Sequence, residues 1–504
     1  MEKFPKSEKL FALVFISIVA VFKLVYFYFS NHSLFTEEAQ YWLWSKHLDW
    51  NYYSKPLMIA VYNFLSTLMF GNTEFAIKFN AVLFSALTSW VLYLFSFELF
   101  KSAKISFWTV VILTFMPFFH LGSIFHTTDS SLYFFWVLSF FWVWKSLETG
   151  KLTWWILAGL STAIGIMSKN IMILVIPIVF LYMLLTQPKQ ILRAGFWVFS
   201  LVSFIGFIPL VLWNMHNDFV TFKHVGTLGG VSGAGNSLSL GKSFAYVGEY
   251  IGGQLGIMSP FYIPLLVLLL IALKKTKDNK LLFLILPSLA VWFLFLMIST
   301  QKSVYVNWPA MGMLLLPVGM AKVVMNEGQN WLKYLKIGTG ITAFLFLVMF
   351  FPQPFDHIGL KKILKPKADP MGRLAGYREL GERITFLRDS LDLGNSFIFS
   401  DNYHLASEMA FYVQGNPQTY TINMGRRKNQ FDLWPGIDQF EGKGFAGIYM
   451  TREKEVQPSV SLGFDELLHL EEFYTVYRGD TIKIYQVAFF RNLNHIKEVE
   501  TNQF

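Results

Sequence analysis

The chain has 504 residues, of which 54% are hydrophobic and 18% aromatic, while only 15% carry a charge. Soluble domains hold about 25% charged residues, so this chain cannot coat a set of soluble domains, and its apolar excess also excludes a disordered, collagenous or coiled-coil protein. The absence of cysteine removes disulfides, thiolate metal sites and a cysteine nucleophile, and the net charge of +9 fits a polytopic membrane protein with lysine-rich cytoplasmic loops rather than a nucleic-acid binder.

Met1–Leu10 carries Lys3, Lys6 and Lys9 ahead of an apolar run from Phe11 to Phe29. That run is long enough to span a bilayer core and has no Ala-x-Ala site, so it reads as an uncleaved first helix and not a signal peptide. Lys23 within it is expected to snorkel to an interface. Further spans are expected at 75–99, 106–124, 131–147, 153–168, 171–186, 195–213, 253–273, 281–299, 309–325 and 337–352. Leu57–Phe70 is short for a span and reads as interfacial or re-entrant.

Parity supports that reading. With 57–70 on the surface, Lys101/Lys104, Lys145/Lys151, Lys189/Arg193, Lys274/Lys275/Lys277/Lys280 and Lys322/Lys333/Lys336 all share the side of the N-terminus. The opposite loops hold fewer basic residues: Lys46, Lys55, Lys169, Lys223, Lys242 and Lys302. The positive-inside rule then gives a cytoplasmic N-terminus and about eleven spans. Counting 57–70 as a span would invert every later loop.

After Phe351-Pro352-Gln353-Pro354 the charge density becomes ordinary. Helices are expected at Tyr377–Leu391 and Asn402–Val413, and strands at Ser396–Ser400, Thr419–Asn423, Gly444–Met450 and Thr481–Val487. The fold class is thus a polytopic α-helical membrane protein with a small C-terminal α/β extracytoplasmic domain. The expected domains are a membrane domain over 1–355, whose first outside loop (31–74) holds interfacial helices, and a periplasmic domain over 356–504.

The first outside loop holds Thr36-Glu37-Glu38-Ala39-Gln40-Tyr41-Trp42 and then Tyr52-Tyr53-Ser54-Lys55-Pro56-Leu57. Carboxylates at the membrane edge can deprotonate an acceptor, hold a metal or orient a polar substrate. The plainer reading is a solvated acidic loop with an aromatic belt. The second outside loop is His126-Thr127-Thr128-Asp129-Ser130-Ser131. Thr128 or Asp129 would cap a helix beginning near Ser131, but topology sets Asp129 on the same face as Glu37 and Glu38. Lys55, Lys169 and Lys302 add cations there, suited to a lipid-linked phosphate or simply to headgroup snorkelling. The long loop from Trp213 to Gly253 contains Gly229-Gly230-Val231-Ser232-Gly233-Ala234-Gly235. It follows a membrane helix and not a strand, so it reads as a flap over a site and not a nucleotide cradle. His216 and His224 are metal-ligand candidates, with headgroup-level histidines the commoner case.

Together these segments resemble the protein O-mannosyltransferase-like membrane glycosyltransferases: glycosyltransferase family 39 and bacterial relatives, including the lipid A aminoarabinose transferases. Glu37-Glu38-Ala39-Gln40-Tyr41 resembles the family's Asp-Glu-Ala-x-Tyr, and Tyr52-Tyr53-Ser54-Lys55-Pro56-Leu57 its Tyr-x-x-His/Lys-Pro-Pro. Thr127-Thr128-Asp129 resembles its Thr-Pro-Asp, and Ser168-Lys169-Asn170 its Ser-Lys-Tyr. Leu212-Trp213-Asn214, Val306-Asn307-Trp308-Pro309 and the outer-domain run Gly425–Trp434 also fit. Each motif is weak alone, and their shared order gives them weight.

The resemblance implies a C-type glycosyltransferase fold and inverting transfer of a sugar from a polyprenyl (undecaprenyl) phosphate carrier. The acceptor would be lipid A, a protein or a surface glycan at the outer face of the cytoplasmic membrane. It implies Glu37, Glu38 and Asp129 as catalytic acids, with Glu37 as base or acceptor-orienting group. Substrate contacts would come from Tyr53, Lys55, His126, Lys169, Asn214, Lys302, Asn307 and Trp308. No cofactor is required by these residues, and a divalent ion, if used, would sit near Glu37 and Asp129. Glu37 is one methylene longer than the usual Asp, which leaves open whether Glu37 or Glu38 is the key acid. Ser54 and Leu57 depart from the family pattern and leave the carrier contacts open. The competing functions are a flippase for a lipid-linked saccharide, which would place ionisable groups near the midplane and broken helices in related halves, and a non-catalytic scaffold.

Overall fold

The computed structural model describes residues 6–229 and 240–499. Residues 230–239 of the expected flap, with Gly230, Gly233 and Gly235, lie outside the described residues, and the stretches beside them are the helices Val220–Gly229 and Leu240–Met258. The chain divides into two compact units: Met1–Tyr26, Lys55–Ile59 and Lys78–Phe346 form one, and Phe27–Ser54, Ala60–Ile77 and Leu347–Phe504 the other.

The first unit is helical. Among the described residues six helices are long and apolar enough to cross a membrane: Lys9–Phe29, Glu74–Phe100, Ala194–His216, Asn279–Ser299, Ala310–Glu327 and Gln329–Phe350. A bent pair, Gly241–Met258 and Pro260–Thr276, meets at 82° where the sequence suggests one straight span. Pro260 lacks an N–H and Ser259 takes φ +83°, so the helix stops and restarts there. The expected span at 106–124 is likewise broken into Ala103–Thr114 and Pro117–Gly122, with Pro117 opening the second piece. Small residues let neighbouring helices close up: a Cβ on Gly159 would fall 2.9 Å from the Phe199 carbonyl oxygen.

Lys23 does not snorkel. It is 2% exposed, and its ammonium donates to the Ser123 hydroxyl. Ser123 gives its own proton to the His120 carbonyl, 2.5 Å away, and so keeps lone pairs for the lysine. A satisfied hydrogen bond inside the bundle replaces the reach to water.

The second unit is built on a five-stranded sheet: β1 (Ser396–Ser400), β2 (Thr419–Thr421), β3 (Ala446–Thr451), β4 (Phe464–Tyr477) and β5 (Asp480–Leu493), in the order β2-β1-β3-β5-β4. The first three are parallel, and β5 and β4 run antiparallel at one edge. Leu380, Ile384 and Met409 from the helices Tyr377–Ser390 and Tyr403–Tyr412 pack with Ile398, Ile448 and Val487 in one core. A second core joins Phe397, Phe399, Tyr449, Phe464 and Phe490. Strand β4 is absent from the sequence reading because Asp465, Glu466, Glu471 and Glu472 spoil its alternation. It is held by β5 through a hairpin whose central residues, Arg478 and Gly479, have φ of 50° and 78°, the mirror-image turn that suits twisted strands.

The helix Thr36–Lys46 belongs to this second unit. Its Ala39, Trp42 and Leu43 share a core with Ala406, Ala410 and Phe411, the Trp42 and Phe411 rings meeting edge-on at 4.9 Å. Arg378 pairs with Glu74 at 2.6 Å, and the Leu34 N–H donates to the Tyr412 hydroxyl at 2.6 Å. Met58–Phe70 is a helix of 13 residues, about 20 Å long and short of a 30 Å bilayer core.

Candidate functional site

In the first unit the geometry converges on Asp129. Thr127, not Thr128 or Asp129, caps the helix Thr128–Thr149: its hydroxyl accepts the Asp129 N–H at 3.3 Å, and its own N–H donates to Ser130. The Asp129 carboxylate is therefore free of capping duty, in a first turn where the helix dipole favours negative charge. Its Oδ1 lies 2.5 Å from Lys169 Nζ, and its Oδ2 accepts the Asn307 side-chain amide at 2.9 Å. The Asp129 and Lys169 side chains are only 8% and 17% exposed.

Each partner is placed by a break in a helix. Lys169 ends the helix Leu152–Ser168 in an extended conformation, before the turn of helix that starts at Asn170. Asn307 lies in a turn closed by the Trp308 N–H on the Tyr305 carbonyl, and the neighbouring Val306 carbonyl accepts the Gln254 amide at 2.9 Å. Three segments remote in sequence thus meet on one carboxylate.

Other expected residues fall into different roles. Trp308 packs at 5.3 Å from the Tyr305 ring and 6.2 Å from Phe295. Lys302 is half-buried, its side chain makes no hydrogen bond or ion pair among the described residues, and burial lowers its pKa. Lys55 is half-buried in this unit. Asn214 is fully buried, with its amide donating to the Leu210 carbonyl at 2.9 Å and its oxygen accepting the Thr221 N–H at 3.1 Å. It shapes the turn between two helices. The candidate ligand His216 bonds the Leu212 carbonyl of its own helix at 2.8 Å.

His126 is fully buried, and burial together with the Lys78 charge pushes it down to about 3, so the ring is neutral. Lys78 is a further buried cation beside it. It is 1% exposed, with its ammonium 5.3 Å from the Phe125 ring. Its signal in the sequence is a lysine inside the apolar run near the start of the helix Glu74–Phe100, where ionisable residues mark function.

In the second unit the two adjacent acids part company. Glu38 is fully buried, and its Oε2 accepts the Phe35 N–H at 2.8 Å at the start of the helix Thr36–Lys46. Glu37 is half-buried, and its side chain makes no hydrogen bond or ion pair among the described residues. The Tyr53 N–H donates to Gln430 Oε1 at 2.7 Å, and burial and Asp432 push its phenol up to about 12. Gln430 lies in the Gly425–Trp434 motif, where Arg426 clasps Asp432 at 2.7 and 3.0 Å.

Among the described residues no group of three or more His, Cys, Asp or Glu side chains is placed to hold a metal ion. The Asp129 oxygens are engaged by an ammonium and an amide, a donor set that does not fit a divalent cation.

Residues 54–213 match the family model of the dolichyl-phosphate-mannose-protein mannosyltransferases. The lipid A galacturonosyltransferase RgtD of Rhizobium johnstonii is 25% identical over 412 residues, covering 81% of this chain and 83% of that protein. An undecaprenyl phosphate-alpha-4-amino-4-deoxy-L-arabinose arabinosyl transferase of Wigglesworthia glossinidia brevipalpis is 27% identical over 146 residues, covering 28% and 26% of the two chains. The solved structure of ArnT from Cupriavidus metallidurans, bound to undecaprenyl phosphate, superposes with a TM-score of 0.66 at 14% identity, over 94% of this chain and 97% of ArnT. By sequence over residues 54–213 the chain is similar to the dolichyl-phosphate-mannose-protein mannosyltransferases, and along most of its length it shares the fold of ArnT.

Proposed function

We propose that the chain carries out inverting transfer of a sugar from a polyprenyl (undecaprenyl) phosphate carrier to an acceptor at the outer face of the cytoplasmic membrane. It is a glycosyltransferase with a polyprenyl-phosphate-linked donor, the class its relatives' names describe. Lipid A, the substrate named for the galacturonosyltransferase relative, is the first acceptor to test, ahead of proteins and surface glycans. The observation that carries the reading is Asp129 held between Lys169 and Asn307.

In the reaction, the acceptor hydroxyl oxygen bonds to the anomeric carbon as the bond from that carbon to the phosphate oxygen breaks. The electron pair leaves with the carrier phosphate, and the hydroxyl proton passes to a carboxylate. Glu37 suits the base, being half-buried with no partner among the described residues, whereas Glu38 is tied to its helix cap. Asp129 acts as the second acid, its orientation locked by Lys169 and Asn307. Lys55 and Lys302 suit the departing phosphate, Tyr53, His126 and Trp308 are the proposed substrate contacts, and Asn214 is a turn-former.

About eleven crossings follow when the six long helices and the bent pair are joined by Thr128–Thr149, the broken run Ala103–Gly122, and the helices Leu152–Ser168 and Asn170–Thr186. Met58–Phe70 then lies on the surface. With the lysine-rich loops cytoplasmic, the proposed N-terminus is cytoplasmic and 356–504, following the membrane domain 1–355, is periplasmic.

The test is a transfer assay with purified protein, radiolabelled polyprenyl-phosphate sugars and an envelope extract. Label should reach a lipid acceptor with wild type and not with Glu37→Gln. Carrier movement across liposomes without transfer would replace this reading with the flippase.

A further inference from the structure

The segment that follows the last membrane helix has a composition the transfer reaction does not use. Gln329–Phe350 ends the run of spans, and Gln353–Asp356, Leu360–Ile363 and Pro366–Ala368 follow as short helical turns. Ile358 and Ile363 are 83% and 88% exposed, among the most exposed large apolar side chains of the described residues. Around them stand Lys361, Lys362, Lys365 and Lys367.

The β4–β5 turn pins this segment and neutralises its acids. The Arg478 side chain is fully buried and donates to Asp356 at 2.8 Å and to Asp369 at 2.9 Å. The Tyr477 hydroxyl also donates to Asp369, and Lys361 pairs with Asp480 at 2.6 Å. With both carboxylates consumed, the exposed Lys362, Lys365 and Lys367 make no side-chain hydrogen bond or ion pair among the described residues. The result is a cationic strip carrying two bare isoleucines, immediately after a transmembrane helix. Apolar side chains among uncompensated lysines at a membrane edge match the boundary of a leaflet with anionic headgroups. An acidic protein partner would explain the lysines, but not isoleucines exposed beside a bilayer.

We propose that residues 353–367 form a membrane-surface collar in which Ile358 and Ile363 enter the acyl boundary while Lys362, Lys365 and Lys367 bind anionic phospholipid headgroups. The collar anchors the C-terminal domain to the leaflet through the β4–β5 turn.

The chain has no cysteine, so single cysteines can be labelled without removing others. Ile358→Cys and Ile363→Cys, labelled with an environment-sensitive fluorophore, are placed in full-length protein in phosphatidylcholine vesicles with and without phosphatidylglycerol. Leu462→Cys, at 82% exposure in the same unit, is the control. Labels at 358 and 363 should be quenched by doxyl lipid, be several-fold less quenched by aqueous iodide than the label at 462, and be shielded more in the anionic vesicles. The variant with Lys362→Gln, Lys365→Gln and Lys367→Gln should lose that lipid dependence. Iodide access equal to that at 462 overturns the collar, and shielding indifferent to phosphatidylglycerol and to the lysines overturns headgroup binding. Neither readout requires transfer activity, so failure here is distinct from failure of the proposed reaction.

Discussion

Asp129 and Lys169 stand 40 residues apart in sequence and 2.5 Å apart in space, at the ends of neighbouring helices. The pair is mostly shielded from water, so each charge depends on the other. Lys169→Met should cost about 3 kcal/mol of stability, as breaking a buried pair does, and should abolish transfer. Asp129→Asn combined with Lys169→Met should recover much of the unfolding temperature without recovering transfer. Recovery of transfer in the double variant would show that the pair is only structural.

Glu37 and Glu38 should separate cleanly. Glu37→Gln is expected to lower transfer at least about a hundredfold with no change in unfolding temperature. Glu38→Gln should instead cost about 1 kcal/mol through its helix start and retain much of the rate. Thermal unfolding and initial rates on the same preparations decide it, and the reverse pattern would make Glu38 the base.

Gly376 and Gly415 test backbone strain against space. Both have positive φ, at 90° and 91°, but a Cβ on Gly376 would lie 2.2 Å from the Thr475 side chain, while one on Gly415 meets nothing within 4 Å. Gly376→Ala should cost about 3 kcal/mol or more, and Gly415→Ala about 1 kcal/mol. Equal shifts in unfolding temperature would mean that Thr475 yields freely.

His404 should make stability depend on pH. Burial and then the Arg452 charge hold it down to about 4 from an ordinary 6.5. Between those values the unfolded chain binds the proton that the folded chain refuses. The contribution is therefore fully present above about pH 6.5 and is lost as pH falls toward 4. His404→Gln should flatten the fall of unfolding temperature between pH 6.5 and 4, and an unchanged slope would assign the titration to other groups.

Much of this molecule can be read along the chain. Membrane helices announce themselves because a long apolar run has no other stable setting. The C-terminal helices and four of its five strands follow from local periodicity, whereas β4 does not, because β5 and the Arg478-Gly479 turn impose its register against an acid-rich sequence. The bends at Pro117 and Pro260 were written in the prolines, yet apolar runs continuing through both looked like single spans.

The sequence alone determined the membrane class, the family-like motifs and the candidate residues, since composition and short-range spacing carry that information. Tertiary structure decided which of those residues meet. It closed Asp129 onto Lys169 and Asn307, turned Glu38 into a helix cap, engaged both ends of the Asn214 amide in a turn, and drew Lys23 into the bundle. The physical reason is that a buried charge or amide must find a partner. The partner it finds is set by which chain segments the packed helices bring within about 3 Å, and no local pattern records that distance.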